Sequence, residues 1–323
     1  MNLKSSSPRS LGFIAGFALA LISCGQTKSD VNTTALMNTQ NIRALKQALW
    51  NGKILDVANE VYLEPAELFE RLVAADTIVF GEKHYTPVIQ IAESEVISGV
   101  VRAAEKEQAF SVGWEFLIRS NQEAVRTLYK NFQEGQITAE DFIRETQAVQ
   151  EAETYVPVLE TIKALGGELF ATNLSRAERK IVVDNGLSQT DPSWIPPGFA
   201  MGGEDYFGRF RDTMQGHVAP EKLLRYFEAQ CLTDDVMAYS VLLEAHFNLR
   251  FLISGSFHVE YRDGVISRLV ARAPAERLLT VDFIDASDYS ETELRTLLNH
   301  TQYGPIADFA YFFNEPSAPS SSK

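Results

Sequence analysis

Two segments of this chain close an apolar, β-rich run in the same way. Residues 77–80 run into Gly81-Glu82-Lys83-His84, and residues 250–254 run into Gly255-Ser256-Phe257-His258. Two more such runs end at Trp114-Glu115 and at Thr172-Asn173. Histidine titrates near neutrality, and a carboxylate beside it moves that value. Two histidines and two carboxylates in one place could bind a metal ion, carry out acid–base chemistry on water, or hold a haem face. The glycine three positions before each histidine gives the chain freedom to leave its strand and turn back over the sheet edge. One Gly-x-x-His arises readily by chance. Two, each closing an apolar run, define a candidate site of Glu82, His84, Glu115 and His258.

The elements that would gather these residues can be read from the surrounding pattern. Strands are expected at 77–81, 111–116, 168–172, 250–254 and 278–283, with a weaker one at 308–312. The segments between them look helical. In 87–106, Pro87 suits the first helical position, and Val88, Ile91, Ala92, Val96, Val100 and Val101 recur at helical spacing. Residues 138–150 open with a capping-box-like Thr138 and Asp141, 154–165 stop at Gly166-Gly167, and 220–247 begin at Pro220. Alternation of this kind implies an α/β fold: a single domain with a largely parallel central sheet and helices on both faces. Ligands of such sheets bind outside the carboxyl ends of the strands, where the four candidates stand.

The stretch 184–202 breaks the rhythm with repeated Pro and Gly, and 204–215 looks helical. Together, 184–215 form a helical and loop excursion carrying Trp194, Phe199, Tyr206, Phe207, Phe210 and Met214. Such a segment either packs against the main domain or forms a mobile cover over a planar ligand or a second copy. His217, His246 and His300 have no partner motif and read as structural. Cys231, in a helical run, reads as a small buried hydrophobe.

At the N-terminus, Lys4 and Arg9 precede a short apolar run over 11–23 that ends Leu21-Ile22-Ser23-Cys24. That run is too short to span a bilayer and fits a signal sequence. Its end resembles a bacterial lipobox. The expectation is cleavage before Cys24, lipid on that cysteine, and an outer-membrane anchor facing the periplasm, since Gly25 stands where an aspartate would signal inner-membrane retention. Residues 24–43 read as a tether, 44–313 as the domain and 314–323 as a frayed tail. Loss of residues 1–23 removes two positive charges and takes the formal charge from −14 to −16. That balance argues against nucleic acid and against a polybasic membrane contact, leaving the lipid as the only attachment.

Across this span the chain resembles the ChaN-like haem-binding uptake lipoproteins, in the superfamily that also holds Tiki-type proteases and erythromycin esterases. The resemblance runs from about residue 44 to 313. It rests on Gly81-Glu82-x-His84, Glu115, the run from 155–159 to 171–174, residues 229–238, and Gly255-Ser256-Phe257-His258-Val259 followed by Gly264-Val265-Ile266. It implies haem binding for uptake or transfer, with a second copy as a possible partner around the ligand. His84, Tyr85, His258 and Tyr261 are then the local candidates for contact with haem and its iron. The family usually continues its Gly-Glu-x-His with an acid, a proline and a histidine. Here Tyr85 replaces the acid, Pro87 remains and the later histidine is absent, so the metal, if any, is left open. Superfamily relatives use equivalent Glu and His residues for hydrolysis. The alternative is therefore a water-activating hydrolase using Glu82, His84, Glu115 and His258. No Gly-x-Ser-x-Gly nucleophile motif is present. A third reading is a domain that kept the fold and lost the chemistry.

Overall fold

The computed structural model describes residues 53–146 and 151–314, without the side chain of Ala152. The signal segment, Cys24, the tether, the expected domain start at 44, the end of the 138–150 helix and nearly all of the tail lie outside the described residues.

Eight strands form one sheet in the order β2-β1-β10-β7-β3-β6-β4-β5. The six from β10 to β5 are parallel: β3 (Thr77–Glu82), β4 (Ser111–Ile118), β5 (Glu168–Asn173), β6 (Arg250–Gly255), β7 (Leu278–Asp285) and β10 (Phe309–Phe313). The short strands β1 (Lys53–Asp56) and β2 (Val61–Leu63) extend one edge antiparallel. A separate two-residue pair, β8 (Asn299–His300) and β9 (Gly304–Pro305), lies outside this sheet. The weak run at 308–312 is an inner strand of the sheet, flanked by β7 and β1 and buried along its whole length.

Helices cover both faces, as the strand alternation requires. Ile78 and Phe80 of β3 point to one face with Phe251 and Ile253 of β6, and join the largest apolar cluster. That face holds α1 (Pro65–Leu72), α2 (Pro87–Ala103), α3 (Gln122–Gln133), α4 (Ala139–Thr146) and α5 (Val156–Ala164). Val79 and Leu252 point the other way, against α8 (Leu223–Leu243) and α9 (Val265–Arg272). Helices α6 (Arg176–Asn185) and α7 (Glu204–Met214) pack on α8 on that second side, and α10 (Glu291–Leu298) joins a smaller cluster near β10. Each fully buried Phe or Leu in these clusters stabilises the fold by about 1.5–3 kcal/mol.

Local chemistry sets the helix ends. Pro87 occupies the first turn of α2. Thr138 Oγ1 accepts from the Asp141 amide while Asp141 accepts from the Thr138 amide, closing the expected box at α4. The chain leaves α5 through Gly166 at φ +71°.

The connection after β3 leads to β4 and β5, whereas the one after β6 leads back to β7. The neighbours β3 and β6 thus send their chains in opposite directions, and a crevice opens at their carboxyl ends.

Candidate functional site

Glu82, His84, Glu115 and His258 meet above β3, β6 and β4. Glu82 ends β3 in phase with Ile78 and Phe80, so its carboxylate is buried on the α2 side. There it accepts from Tyr155 OH (2.7 Å), His84 Nδ1 (2.8 Å) and Gln90 Nε2. Glu93 lies one turn beyond Gln90 and is fully buried, and burial with the Glu82 charge pushes its pKa well above the usual carboxylate range.

Glu115 occupies a gap in the sheet. Pairing of β4 with β6 ends at Trp114–Ile253, and the Gly255 amide donates to Glu115 Oε2 at 2.7 Å. The same oxygen lies 3.9 Å from His84 Nε2, and Oε1 lies 3.5 Å from His258 Nε2. His258 Nδ1 meets Asp234 Oδ1 at 2.6 Å, with the Gln230 amide at 3.0 Å. Tyr206 OH donates to Asp234 Oδ2 at 2.7 Å. The two halves repeat one design: tyrosine, buried carboxylate, histidine Nδ1, then histidine Nε2 facing Glu115.

The electrostatics follow from this chain of partners. Burial alone would push His258 down, but Glu115 and Asp234 outweigh it and hold the imidazolium up to about 10. Burial would raise Glu115, yet both histidines and the Gly255 amide hold it far below the usual carboxylate range. His84 behaves like His258: burial pulls it down, and Glu82 and Glu115 more than offset this.

The glycines act differently from the expectation. Gly255 sits at φ −59°, a conformation open to any residue. Its role is space, since a Cβ there would come within 2.9 Å of His84 Nε2. Left-handed backbone is taken instead by Tyr85 and Tyr261, both at φ +57°.

Those two tyrosines have different surroundings. Tyr85 follows His84 and packs with Phe116 and Tyr155, ring centroids at 5.7 and 6.2 Å, while Phe116 lies 4.7 Å from His84. Burial, with Glu151, Glu82 and Glu115 around it, raises Tyr85 to about 12. Tyr261 donates its hydroxyl to the Leu297 carbonyl at 2.9 Å and packs beside the α10 cluster. Lys83 pairs with Asp288, away from Glu115, and Asn173 Oδ1 accepts from the Leu174 amide.

The 184–215 segment is divided. Tyr206, Phe210 and Met214 are buried with Phe227 and Cys231, which makes α7 part of the core. Trp194 and Phe199 are only partly buried, against α6 and α8. Cys231 is fully buried, its thiol pushed up to about 12, as a small hydrophobe should be. His246 is exposed beside Glu244, and His300 stacks on Tyr303.

Sequence reasoning did not assign Asp234, Gln90, Glu93, Tyr155, Tyr206 or Gln230 to the site, although it named Tyr206 in the 184–215 excursion and met Tyr155, Gln230 and Asp234 within the runs that carry the resemblance. Their signal is polarity where the helical pattern demands an apolar face: Asp234 lies between Leu232 and Val236, both fully buried. Among the described residues, no group of three or more His, Cys, Asp or Glu side chains has an arrangement fit for a metal ion. No described helix is long and apolar enough to cross a membrane.

Comparison with known proteins agrees with this architecture. The chain is similar to a solved structure described as "Cofacial heme binding to ChaN of Campylobacter jejuni". Identity is 19%, 81% of this chain and 97% of that one are covered, and the TM-score is 0.64. A weaker likeness, at 10% identity and TM-score 0.46, is to the type III effector HopBA1, covering 79% of this chain and 94% of that one. Among curated proteins none matches significantly. The family described as "Haem-binding uptake, Tiki superfamily, ChaN" matches residues 68–269, most of the domain, and the chain belongs to that family.

Proposed function

We propose that this chain binds haem as cargo for uptake or transfer, over the crevice at the strand ends, with Tyr85 as the iron ligand. Four side chains were candidates for that role. His258 has both ring nitrogens facing carboxylates and carries a proton. Tyr261 has given its hydroxyl to a backbone carbonyl. His84 Nδ1 is held by Glu82, and its Nε2 faces the Glu115 carboxylate at 3.9 Å. Of the four, Tyr85 alone has a ligating atom with neither a hydrogen bond nor an ion-pair partner among the described residues. That observation carries the proposal, because a phenolate oxygen is a known protein ligand of ferric haem.

The ring surface suits such a cargo. Tyr85, His84 and Phe116 are partly buried and cluster at tilted to edge-on angles, offering aromatic area beside a few polar groups. A second copy of the chain could cover the opposite face of the ligand. Lipid on Cys24 would hold the protein at the outer membrane, facing the periplasm. Titration of the purified domain with haemin tests the core of the proposal: a saturable Soret shift is expected, and its absence would reject it.

One observation favours the hydrolase reading. Two histidines, each pinned through Nδ1 by a buried carboxylate and facing a shared carboxylate, form more acid–base machinery than holding a cargo requires. Hydrolysis of ester or amide substrates that is lost in His84→Asn and retained in Tyr85→Phe would support that reading.

A further inference from the structure

Arginines in this acidic chain are paired almost throughout. Among the described residues, only Arg102, Arg119, Arg176 and Arg179 lack a carboxylate within salt-bridge distance. Arg119 lies over the Tyr239 ring at 5.0 Å. Arg102 and Arg176 are exposed, where water serves them. Arg179 is the exception: it is partly buried, and among the described residues no hydrogen bond, ion pair or ring contact engages its guanidinium.

A half-desolvated cation without a partner is costly, and in a chain with 43 acidic residues a partner would be easy to supply. Burial pushes the Arg179 pKa down, and Arg176 on the same helix face adds repulsion. Its position gives the cost a purpose. Helix α6 begins directly after the carboxyl end of β5, which neighbours β4. Arg179 stands one turn into it, within the field of Glu115. Tyr85 follows β3, three strand spacings away, or about 14 Å between backbones. A broad planar ligand centred near Tyr85 would bring its edge toward Arg179.

We propose that Arg179 receives a carboxylate on the ligand's periphery, a haem propionate, and selects for ligands that carry one. This rests on the haem reading. The guanidinium fork matches a carboxylate in two parallel hydrogen bonds, and the ligand's charge supplies the partner that the described residues do not. Orientation follows as well: the acidic edge is held on the β5 side, and the iron is left to the β3 side.

The test compares haemin with haemin dimethyl ester, whose propionates are neutral, by Soret titration of wild type, Arg179→Gln and Arg179→Lys. Arg179→Gln should weaken haemin binding about tenfold to a hundredfold and leave the diester unchanged. Arg179→Lys should fall between. The ligand-free Arg179→Gln protein should melt at or above the wild-type temperature, since an unpaired cation has been removed. Equal loss for both porphyrins, no loss for haemin, or a clear fall in melting temperature would overturn the assignment while leaving haem binding intact. No Soret shift for wild type with either porphyrin would overturn the haem reading, and this assignment with it.

Discussion

His84 and His258 address opposite oxygens of one carboxylate, with Nε2 atoms 3.9 and 3.5 Å from Glu115. Neither histidine is free to reorient, because Glu82 and Asp234 hold the Nδ1 atoms from behind. Glu115 is thus the charge that both buried rings share, and it raises the pKa of each.

Glu115→Gln keeps an acceptor for the Gly255 amide and removes that charge. It should lower stability by about 3–5 kcal/mol at neutral pH, as breaking a buried pair from one side does. The pKa values of both histidines should fall, as followed by NMR titration. A variant within about 0.5 kcal/mol of wild type, with unmoved histidine pKa values, would show that the contacts do not persist in solution.

Stability should depend on pH in a defined sense. The folded pKa of His258, about 10, lies above its ordinary 6.5. Its contribution is full below 6.5 and is lost as pH rises toward and through 10. The folded pKa of Glu115 is depressed below its ordinary 4.5, so its contribution is present above 4.5 and lost as pH falls below it. The melting-temperature gap between wild type and His258→Gln should be widest between about pH 5 and 6.5. A gap that widens toward pH 10 would contradict the assignment.

Tyr85→Phe should leave the melting temperature nearly unchanged and remove the phenolate-to-iron charge-transfer band. Ligation through a hydroxyl raised to about 12 must release a proton. Wild-type affinity for haemin should therefore rise about tenfold per pH unit between pH 6 and 9, and the variant should lose that slope. Retention of both band and slope would move the ligand elsewhere.

Within 184–215, two substitutions separate core from cover. Phe210→Ala should cost about 3–5 kcal/mol, because the ring is fully buried against Phe227. Trp194→Ala, on the partly buried loop, should cost much less and be read mainly in haemin affinity. Denaturant titration of both, beside Soret titration, gives the comparison. Equal losses of stability would merge the two parts into one core.

Cys24→Ser tests the anchor. The variant should appear in the soluble periplasmic fraction or remain unprocessed. A processed form still fractionating with the outer membrane would reject lipid attachment at this position.

The parallel strands were legible because each is a short, mostly apolar run buried on both faces, even where β7 carries Thr280 and Asp282. The residues at their carboxyl ends were legible for the same reason, since polarity begins where the run stops. Strands β1 and β2 were not, because Lys53–Asp56 and Val61–Leu63 are too short for any period to stand out. The expectation that glycines bend the chain at the site failed at Gly255, because the needed property was the missing side chain, and its neighbour His84 is remote in sequence. Asp234 and Tyr155 were not assigned to the site because helical patterning places them on a buried face without saying what else is buried there. The α7 aromatics were visible as a dense group, yet sequence alone could not divide Tyr206 and Phe210, which are core, from Trp194 and Phe199.

The antiparallel edge has a consequence for how the protein sits. Lys53 pairs with Phe312, near the carboxyl end of β10, and Asp56 pairs with Phe309. The described chain therefore begins on the same side of the sheet as the ends of β3, β4 and β6. Residues between Cys24 and Lys53 can reach at most about 100 Å when fully extended. A lipid on Cys24 would thus join the domain on the side where the crevice opens, and would leave that crevice free to range up to this distance from the bilayer.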